Sequence, residues 1–260
     1  MRLSIITPTL NSAQTVRDTF ESIKPLVRIG AEHIIVDSGS EDTTLEIAAN
    51  YDCKVLQYPK GNMYEAINFG IRNSTGHHIT YINSDDILYS DNVARLLKNK
   101  INGDLVYGSI NFIDLEGNVL FTRRPVSPNA LYYSSLYFNP IFQQGLIFTR
   151  AAYERLGGFN EDYRFSSDMD FVLRAIYSQL NFQKKSAVLA AFRISDNQLS
   201  SRLWSEMKLE GPIIREKLNE EFGITTSKFT KQLMYLVRAS YNVDQIFIGQ
   251  YRRLRGKLNV

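Results

Sequence analysis

Ile79-Thr80-Tyr81-Ile82-Asn83-Ser84-Asp85-Asp86 is the stretch from which the fold of this chain is best inferred. Its first four residues are β-branched or aromatic, as is typical of a buried strand. Two adjacent carboxylates follow. Because an unpaired buried carboxylate is costly, we expect them at the exit of the strand, facing a cleft. Such oxygen donors suit Mn²⁺ or Mg²⁺, which bind one or two carboxylates together with substrate phosphates, while the alternative is an ordinary polar turn.

The apolar fraction is that of an ordinary soluble protein, and the 260 residues predict one large domain or one domain with a helical appendage. The single cysteine, Cys53, excludes an internal disulfide and fits a reducing compartment. The N-terminus lacks the apolar stretch of a signal peptide, and no window is long and apolar enough to span a bilayer. We therefore expect a cytoplasmic protein. The net charge of +3 gives no reason to expect a nucleic-acid partner.

Short apolar strands alternate with amphipathic helical stretches over the first half of the chain. We predict strands at residues 3–7, 33–36, 54–57 and 79–82. We predict helices over residues 11–27, 43–51 and 63–72, with Asn11 and Thr43 as caps of the first two. Repeated β-α units imply a parallel sheet with helices on both faces.

The second half of the chain is less regular. We predict a hairpin formed by residues 105–113 and 119–123, strands at 144–149 and 187–194, and a helix that begins at Ser167 or Asp168 and ends at 177. Two helical stretches follow, over residues 203–221 and 229–255. A polar segment at 195–201 would separate the α/β body from this helical extension.

Ligands of a parallel sheet bind beyond the carboxyl ends of its strands. This rule places the segment Thr7-Pro8-Thr9 on the same rim as Asp37, Lys60 and the pair Asp85-Asp86. For Asp37, the alternative is a turn-forming Asp before Gly39. For Lys60, a solvated loop charge is the stronger interpretation.

Several short motifs, weak singly, are specific in their order and spacing. They are Ser4-Ile5-Ile6-Thr7-Pro8-Thr9-Leu10-Asn11, Ile35-Val36-Asp37-Ser38-Gly39-Ser40-Glu41-Asp42, Met63-Tyr64-Glu65-Ala66-Ile67-Asn68-Phe69-Gly70, Ser74-Thr75-Gly76, Asn83-Ser84-Asp85-Asp86, Phe159-Asn160-Glu161 and Ser167-Asp168-Met169-Asp170. With these motifs the chain resembles the family 2 glycosyltransferases, the inverting nucleotide-sugar enzymes of bacterial polysaccharide synthesis. The resemblance covers roughly the first 200 residues.

The resemblance implies a GT-A fold, a Rossmann-like, mostly parallel sheet with helices on both faces. The implied glycosyltransferase domain is residues 1–200, with a nucleotide-binding half at about 1–115 and an acceptor half at about 116–200. The C-terminal helical extension would occupy residues 201–260. Two positions depart from the family: Gln143-Gln144 stands where members often have His before Gln, and Arg193 opens a loop where many have His.

The resemblance also implies a role for each matching residue. The nucleotide-sugar site would contain Pro8, Thr9, Asn11, Asp37, Lys60, Asn68, Gly70 and Asp85. In it, Asp37 would accept a hydrogen bond from the base and Asp85 would hold ribose or sugar hydroxyls. Asp86 would ligate the metal on the diphosphate, and Asp168 matches the catalytic base.

Each role has a structural alternative. For Asp168 it is a helix N-cap, for Asn68 a polar helix face, and for Gly70 a tight contact between helix and strand. An aspartyl phosphatase that uses Asp37 fits poorly, because that chemistry would need a second acid where Gly39 stands.

We therefore expect a metal-dependent inverting glycosyltransferase that moves one sugar from a nucleotide-diphosphate sugar, with a UDP-sugar favoured, to a saccharide or lipid-linked acceptor in cell-surface polysaccharide synthesis. The alternative is a non-catalytic nucleotide- or carbohydrate-binding module on the same fold. The C-terminal helices carry apolar residues among arginines, and residues 251–257 are strongly basic. These features are consistent with peripheral contact with the inner face of the plasma membrane, or with a homodimer, and for the basic segment a solvated helix end with cations favourable to the helix dipole is an equally good interpretation.

Overall fold

The computed structural model of the protein describes residues 2–99, 101–195, 204–225, 227 and 232. Its strands are β1 (Leu3–Thr9), β2 (Glu32–Asp37), β3 (Lys54–Gln57), β4 (His78–Tyr81), β5 (Ile87–Leu88), β6 (Leu105–Ile113), β7 (Val119–Arg123), β8 (Leu146–Thr149) and β9 (Phe182–Arg193). Its α-helices are α1 (Val16–Arg28), α2 (Thr44–Ala48), α3 (Met63–Arg72), α4 (Ser90–Lys98), α5 (Leu131–Ser135), α6 (Arg150–Arg155), α7 (Ser167–Tyr177) and α8 (Trp204–Glu221).

The strands form one sheet in the order β3-β2-β1-β4-β8-β6-β9-β5, with β7 paired to the outer part of β6. The first four strands are parallel, and Ile6 of β1 lies between Ile34 of β2 and Tyr81 of β4. Beyond β4 the directions are mixed: β8 is antiparallel to β4 and β6, whereas β9 is parallel to β6. The parallel arrangement predicted for the first half is confirmed, and the predicted hairpin is β6–β7.

Helices cover both faces of the sheet. Side chains alternate along a strand, so that Ile6 packs in the core beneath α3 and α7, whereas Ile5 packs in the core on the side of α1 and α4. Both side chains are fully buried. Because the parallel strands end at one edge between these layers, the polar loops after β1, β2 and β4 share that edge.

One predicted helix start and one predicted side-chain cap are wrong. The first helix begins at Val16 rather than at Asn11, whose φ of 50° is left-handed and incompatible with a helix. Thr43 precedes α2 without making a side-chain cap; Asp42 accepts the hydrogen bond from the Thr44 N–H (3.0 Å) instead. The last strand also starts earlier than predicted, at Phe182, because its first half is only partly buried and lacks a clear apolar pattern.

The helical extension is described only in part. Helix α8 matches the first predicted stretch, and its Ile214 and Leu218 are buried in the same core cluster as α7. The second predicted stretch, 229–255, and the basic segment 251–257 lie outside the described residues. Within the described ranges, no helix combines the length and apolar character needed to cross a bilayer.

Candidate active site

The carboxyl ends of β1 and β2 meet at Asp37, the last residue of β2. Its buried Oδ1 accepts hydrogen bonds from Thr9 Oγ1 (2.9 Å) and Ser40 Oγ (2.5 Å). Its Oδ2 accepts from the backbone N–H groups of Gly39 (3.0 Å) and Ser40 (2.9 Å). A carboxylate has about four lone-pair sites, so both oxygens are fully used. The turn-forming role accounts for these contacts, and a nucleobase would have to displace one of these donors.

Asn11 and Pro8 occupy the same rim in different ways. Asn11 is exposed just beyond β1; its Oδ1 accepts from the Glu41 N–H (2.8 Å) and its own N–H donates to Ser40 Oγ (2.9 Å). These bonds tie the loop after β1 to the loop after β2. Pro8 is buried inside β1, opposite Val36.

Asn68 faces the protein interior from α3. Its amide Nδ2 donates to Phe159 O and to Glu161 Oε1, both at 2.8 Å. Its Oδ1 accepts from the Tyr153 hydroxyl (2.7 Å) and the Phe159 N–H (3.1 Å). With its hydrogen-bonding capacity filled, Asn68 fixes the chain before α7 to α3. The contact with nucleotide or sugar stays a prediction.

Gly70 and Lys60 have opposite surroundings. A Cβ at Gly70 would lie 2.7 Å from Ile6 Cγ2 and 2.8 Å from Val36 Cγ2, so glycine permits the close approach of α3 to the sheet. Lys60 is exposed in the loop after β3. The structure thus accounts for Gly70 by packing, and places Lys60 as a loop charge.

The acidic pair after β4 consists of one buried and one partly exposed carboxylate. Asp86 is fully buried; its Oδ1 accepts from the Arg193 N–H (3.0 Å) and its Oδ2 from Gln144 Nε2 (3.1 Å). Burial, and then the negative charge of Asp85, raise the pKa of Asp86 well above its usual range. Asp85 is partly exposed. Of the two, Asp85 therefore has the more accessible side chain.

Arg193 holds this acidic turn in place. Its buried guanidinium donates to Asp85 O (2.9 Å) and Leu115 O (2.6 Å), and pairs with Asp18 of α1 at 2.9 Å. Sequence reasoning noted Arg193 and Gln144 only as departures from the family, and missed that both contact Asp86. These are contacts across more than fifty positions of sequence, which no local pattern signals.

Asp168 lies in the first turn of α7, facing two buried tyrosines. Its Oδ1 accepts a hydrogen bond from the Tyr64 hydroxyl at 3.2 Å. Burial raises the pKa of Asp168 to about 6, although the hydrogen bond from Tyr64 and backbone N–H groups work in the opposite direction. Ser166, the residue before α7, makes no side-chain cap. Asp168 is thus a carboxyl poised near neutral pH, as a general base should be.

Tyr81, the last residue of β4, links Asp168 to the acidic pair. Burial raises the pKa of Tyr81 far above its usual value, and the neighbouring Tyr64 hydroxyl and the charges of Asp168 and Asp86 raise it further. Gln143 Nε2 donates to Tyr81 O at 2.5 Å. The charges of Asp168 and Asp86 therefore both act on the same tyrosine. Tyr64 lies in the motif at residues 63–70 and Tyr81 in the strand predicted at 79–82. From the sequence, their aromatic rings indicated only core packing.

The acidic turn has the chemistry of a site for Mn²⁺ or Mg²⁺. Asn83 Oδ1 is buried beside it without a hydrogen-bond partner in the part of the chain that the structure describes. In the same part no group of three or more His, Cys, Asp or Glu side chains could hold a metal alone. These metals often take one or two carboxylates and complete their shell with substrate phosphates and water. The residues present fit a site of this kind, in which carboxylates hold the metal together with substrate phosphates and water.

Comparison with known proteins supports a transferase. The sequence profile of "Glycosyl transferase family 2" matches residues 4–155. An uncharacterised glycosyltransferase of Rickettsia typhi is 24% identical over 250 residues, covering 92% of this chain and 76% of the relative. The profile includes the acidic pair and ends before α7, so it does not include Asp168.

Solved structures show the same fold. Staphylococcus aureus TarS 1-349 in complex with UDP-GlcNAc has a TM-score of 0.60 at 17% identity, covering 76% of this chain and 60% of that fragment. The mannosyltransferase PcManGT of Pyrobaculum calidifontis, in complex with GDP-Man and Mn²⁺, has a TM-score of 0.58 at 17% identity, covering 95% and 82%. This chain thus spans less than two thirds of the TarS fragment and has the GT-A fold. With more than half of its length matched by the profile, the chain belongs to glycosyltransferase family 2 and is a glycosyltransferase.

Proposed function

We propose that the protein is an inverting transferase that moves one sugar from a nucleotide-diphosphate sugar to a hydroxyl group of a saccharide or lipid-linked acceptor. The observation that carries this proposal is the place of Asp168, whose carboxyl has a pKa of about 6 and accepts a hydrogen bond from Tyr64, while its charge and that of Asp86 both raise the pKa of the buried Tyr81. A base and a diphosphate-binding carboxylate would need to lie on two sides of one sugar-sized site. The effect of both charges on the pKa of Tyr81 supports that arrangement.

In the proposed step, the acceptor hydroxyl oxygen attacks the anomeric carbon, and the bond from that carbon to the diphosphate oxygen breaks. The bonding electron pair leaves with the nucleoside diphosphate. Asp168 takes the proton of the acceptor hydroxyl, while the Tyr64 hydroxyl holds the carboxyl through Oδ1. A single displacement with one base inverts the configuration at the anomeric carbon.

We assign the metal to the acidic pair, with the partly exposed Asp85 as the carboxylate that reaches it and Asp86 as its buried support, whereas the resemblance implied Asp86 as the ligand and Asp85 as the residue that holds ribose or sugar hydroxyls. Asp86, the ligand predicted from the sequence, already accepts hydrogen bonds from Arg193 and Gln144. A bound divalent cation would neutralise charge on the departing diphosphate. The Mn²⁺ in the mannosyltransferase complex supports this choice.

A UDP-sugar is the donor that the TarS complex favours, and GDP-mannose is the competing donor. The donor site would be the rim formed by Pro8, Thr9, Asn11 and Asp37, with Asn68 and Gly70 supporting α3 behind it. Isothermal titration calorimetry with UDP-GlcNAc and GDP-mannose, each with Mn²⁺, would identify the nucleobase of the donor. An assay of donor hydrolysis with water as acceptor would follow. Failure of both donors to bind would contradict the proposal.

Asp168→Asn tests the catalytic assignment. We expect transfer or hydrolysis to fall by about 10²- to 10⁴-fold, the usual contribution of general base catalysis, with donor affinity unchanged. Asp162→Asn, an exposed acid in the preceding loop, is the matched control. Full activity in Asp168→Asn would remove the base assignment, and loss of donor binding would indicate a structural role instead.

Asp85→Ala tests the metal assignment. We expect it to lose the activation by Mn²⁺ that EDTA-treated wild-type protein shows on readdition of the ion, whereas the exposed Asp52→Ala should keep it.

The further proposal of membrane contact depends on C-terminal residues outside the described ranges. Flotation with anionic liposomes, comparing the full chain with one truncated after Ser227, tests it; equal flotation of both would contradict it.

A further inference from the structure

The loop before α7 is bonded to a carboxylate from a distant helix. Glu210 of α8 accepts three backbone hydrogen bonds: Oε1 from the Arg164 N–H (2.8 Å), and Oε2 from the Phe165 (2.9 Å) and Ser166 (2.8 Å) N–H groups. The three donors are consecutive and directly precede α7. One side chain therefore fixes the whole entry to that helix.

The entry to α7 needs such an acceptor. The first N–H groups of a helix have no partner within the helix, and a side chain of the preceding residue often caps them. Ser166 makes no side-chain cap here. Glu210 instead fixes the chain just before the helix, and its negative charge near the N-terminus is favourable to the helix dipole. Asp168 follows two residues after the last of these bonds.

Helix α8 is itself firmly packed at this point. Ile214 is fully buried and Leu218 is nearly so, in the core cluster that also contains α7. Arg215 Nη2 lies 3.4 Å from the sulfur of Met169, the residue after Asp168, and Arg215 Nε donates to Ser135 O (3.3 Å). The packing of α8 in the core thus fixes the position of Glu210, and the hydrogen bonds of Glu210 in turn fix the chain at the start of α7.

We propose that Glu210 is a positioning residue for sugar transfer: by holding residues 164–166 it sets the position of Asp168 against the donor site. This inference rests on the proposed function, in which Asp168 is the base. It gives the helical extension a part in the reaction, although α8 lies outside the region matched by the family profile.

The charge of Glu210 also affects Asp168. Within the described residues, the titratable groups that act on the Asp168 carboxyl from neighbouring elements are Tyr64 on α3, Tyr81 on β4 and Glu210 on α8. Arg215 and Lys217 of α8 contact Met169 and the ring of Tyr163 nearby. The negative charge of Glu210 raises the pKa of Asp168, whereas the hydrogen bond from Tyr64 lowers it. Removal of the Glu210 charge should therefore make Asp168 a base at lower pH.

The test compares Glu210→Gln and Glu210→Ala with Glu216→Gln, which makes the same charge change on the exposed side of α8. The assay is the hydrolysis of UDP-GlcNAc or GDP-mannose, whichever calorimetry selects, measured from pH 5 to 8. For Glu210→Ala we expect kcat to fall by about 10²-fold with donor KM unchanged, because small displacements of a catalytic group have effects of that size. For the nearly isosteric Glu210→Gln we expect a smaller loss of kcat. We also expect the acid limb of the pH–kcat profile, where activity falls as Asp168 is protonated, to be displaced to lower pH.

Thermal unfolding of each variant shows whether it is folded; if Glu210→Ala is not, the isosteric variant carries the test. Wild-type kcat with an unmoved acid limb in Glu210→Gln would overturn the inference. A kcat loss with an unmoved limb and a matching rise in donor KM would also overturn it, because it would indicate a purely structural contact.

Asp168→Asn, assayed in parallel, separates the two proposals. If Asp168→Asn stays active the base assignment fails, whereas if it is inactive and both Glu210 variants match Glu216→Gln, only the present inference fails.

Discussion

Two aspartates of the candidate site, the fully buried Asp37 and the partly exposed Asp168, differ in how the protein surrounds them. Asp37, at the end of β2, accepts two hydroxyl and two backbone hydrogen bonds that fill both of its oxygens. Asp168, at the start of α7, accepts a single side-chain bond, from Tyr64, and burial raises its pKa to about 6. The first carboxylate supports the fold. The second is kept in an environment that disfavours its charge, which is typical of a group retained for chemistry.

The comparison teaches how to separate structural from reactive acids on one rim. A carboxylate whose lone pairs are all taken by fixed donors gains stability from its charge, and it has no capacity left for a substrate proton. A carboxylate that is buried with few donors destabilises the folded protein when it ionises. The same criterion assigns Asn68 to the structural class, because its amide makes four bonds inside the protein.

Asp37→Ala should have the largest effect on stability. It leaves two hydroxyls and two backbone N–H groups without their buried acceptor, at about 1–3 kcal/mol for each group that water cannot reach, so we expect a loss of about 3–5 kcal/mol in the free energy of unfolding. Urea denaturation followed by circular dichroism measures it. The exposed Asp52→Ala is the control and should lie within about 0.5 kcal/mol of wild type. A similar small change in Asp37→Ala would show that Asp37 is free to serve a ligand.

Asn68→Ala should follow, with a loss of about 2–4 kcal/mol, because four hydrogen bonds disappear and a small cavity forms between α3 and the chain near Phe159. Urea denaturation is again the measurement, with the exposed Gln14→Ala as control. Calorimetry on the same variants tests the site prediction. If Asn68→Ala keeps its stability and loses donor binding, the amide contacts the nucleotide or sugar after all.

Asp168→Asn should stabilise the protein, in contrast to Asp37→Ala. The folded pKa of about 6 exceeds the ordinary value, so between about pH 4 and 6 the folded state binds more protons than the unfolded state and stability falls as pH rises. Above that window the ionised carboxyl costs about 1–3 kcal/mol, which an amide avoids. We therefore expect a gain of that size at pH 8 and little change at pH 4. Destabilisation at pH 8 would place Asp168 with Asp37 as a structural acid.

The hydrogen-bonding role of Asp37 could be predicted from the sequence better than the surroundings of Asp168. The turn role of Asp37 follows from its neighbours, since Gly39 and Ser40 are within three residues and Thr9 lies on the adjacent strand. Helix α3 was predicted with its observed bounds, because its amphipathic pattern and its capping Asn62 are local. Family motifs pointed to Asp168 as well.

The surroundings of Asp168 could not be predicted in this way. Tyr64 is 104 residues away in sequence, and Glu210 reaches the chain before α7 from a helix more than forty residues later. Arg193 likewise contacts the acidic turn 108 residues before it. Such contacts depend on the packing of whole elements, and no spacing in the chain encodes them. The motif names Asp168 as the proposed base, whereas the pKa of its carboxyl depends on the fold.

Tyr64→Phe should have the smallest effect and gives the finest test of the comparison. The variant removes the hydroxyl whose one proton is shared between Asp168 Oδ1 and Phe165 O, both at 3.2 Å, and keeps the buried ring, which packs near Phe159. Because that bond lowers the pKa of Asp168, its loss should raise the pKa, and the acid limb of kcat should move to higher pH. Near pH 7 we expect a loss of a few-fold in kcat, with donor KM unchanged.

The direction of this shift is the informative part. Tyr64→Phe and Glu210→Gln should move the acid limb in opposite directions, because a hydrogen bond to the carboxylate favours its ionised form and a neighbouring negative charge disfavours it. Tyr132→Phe, on an exposed side chain, should leave the limb in place. A general loosening of the site would move both active-site variants the same way. Opposite shifts therefore show that the fold sets the basicity of Asp168 through these two contacts, and equal shifts would contradict it.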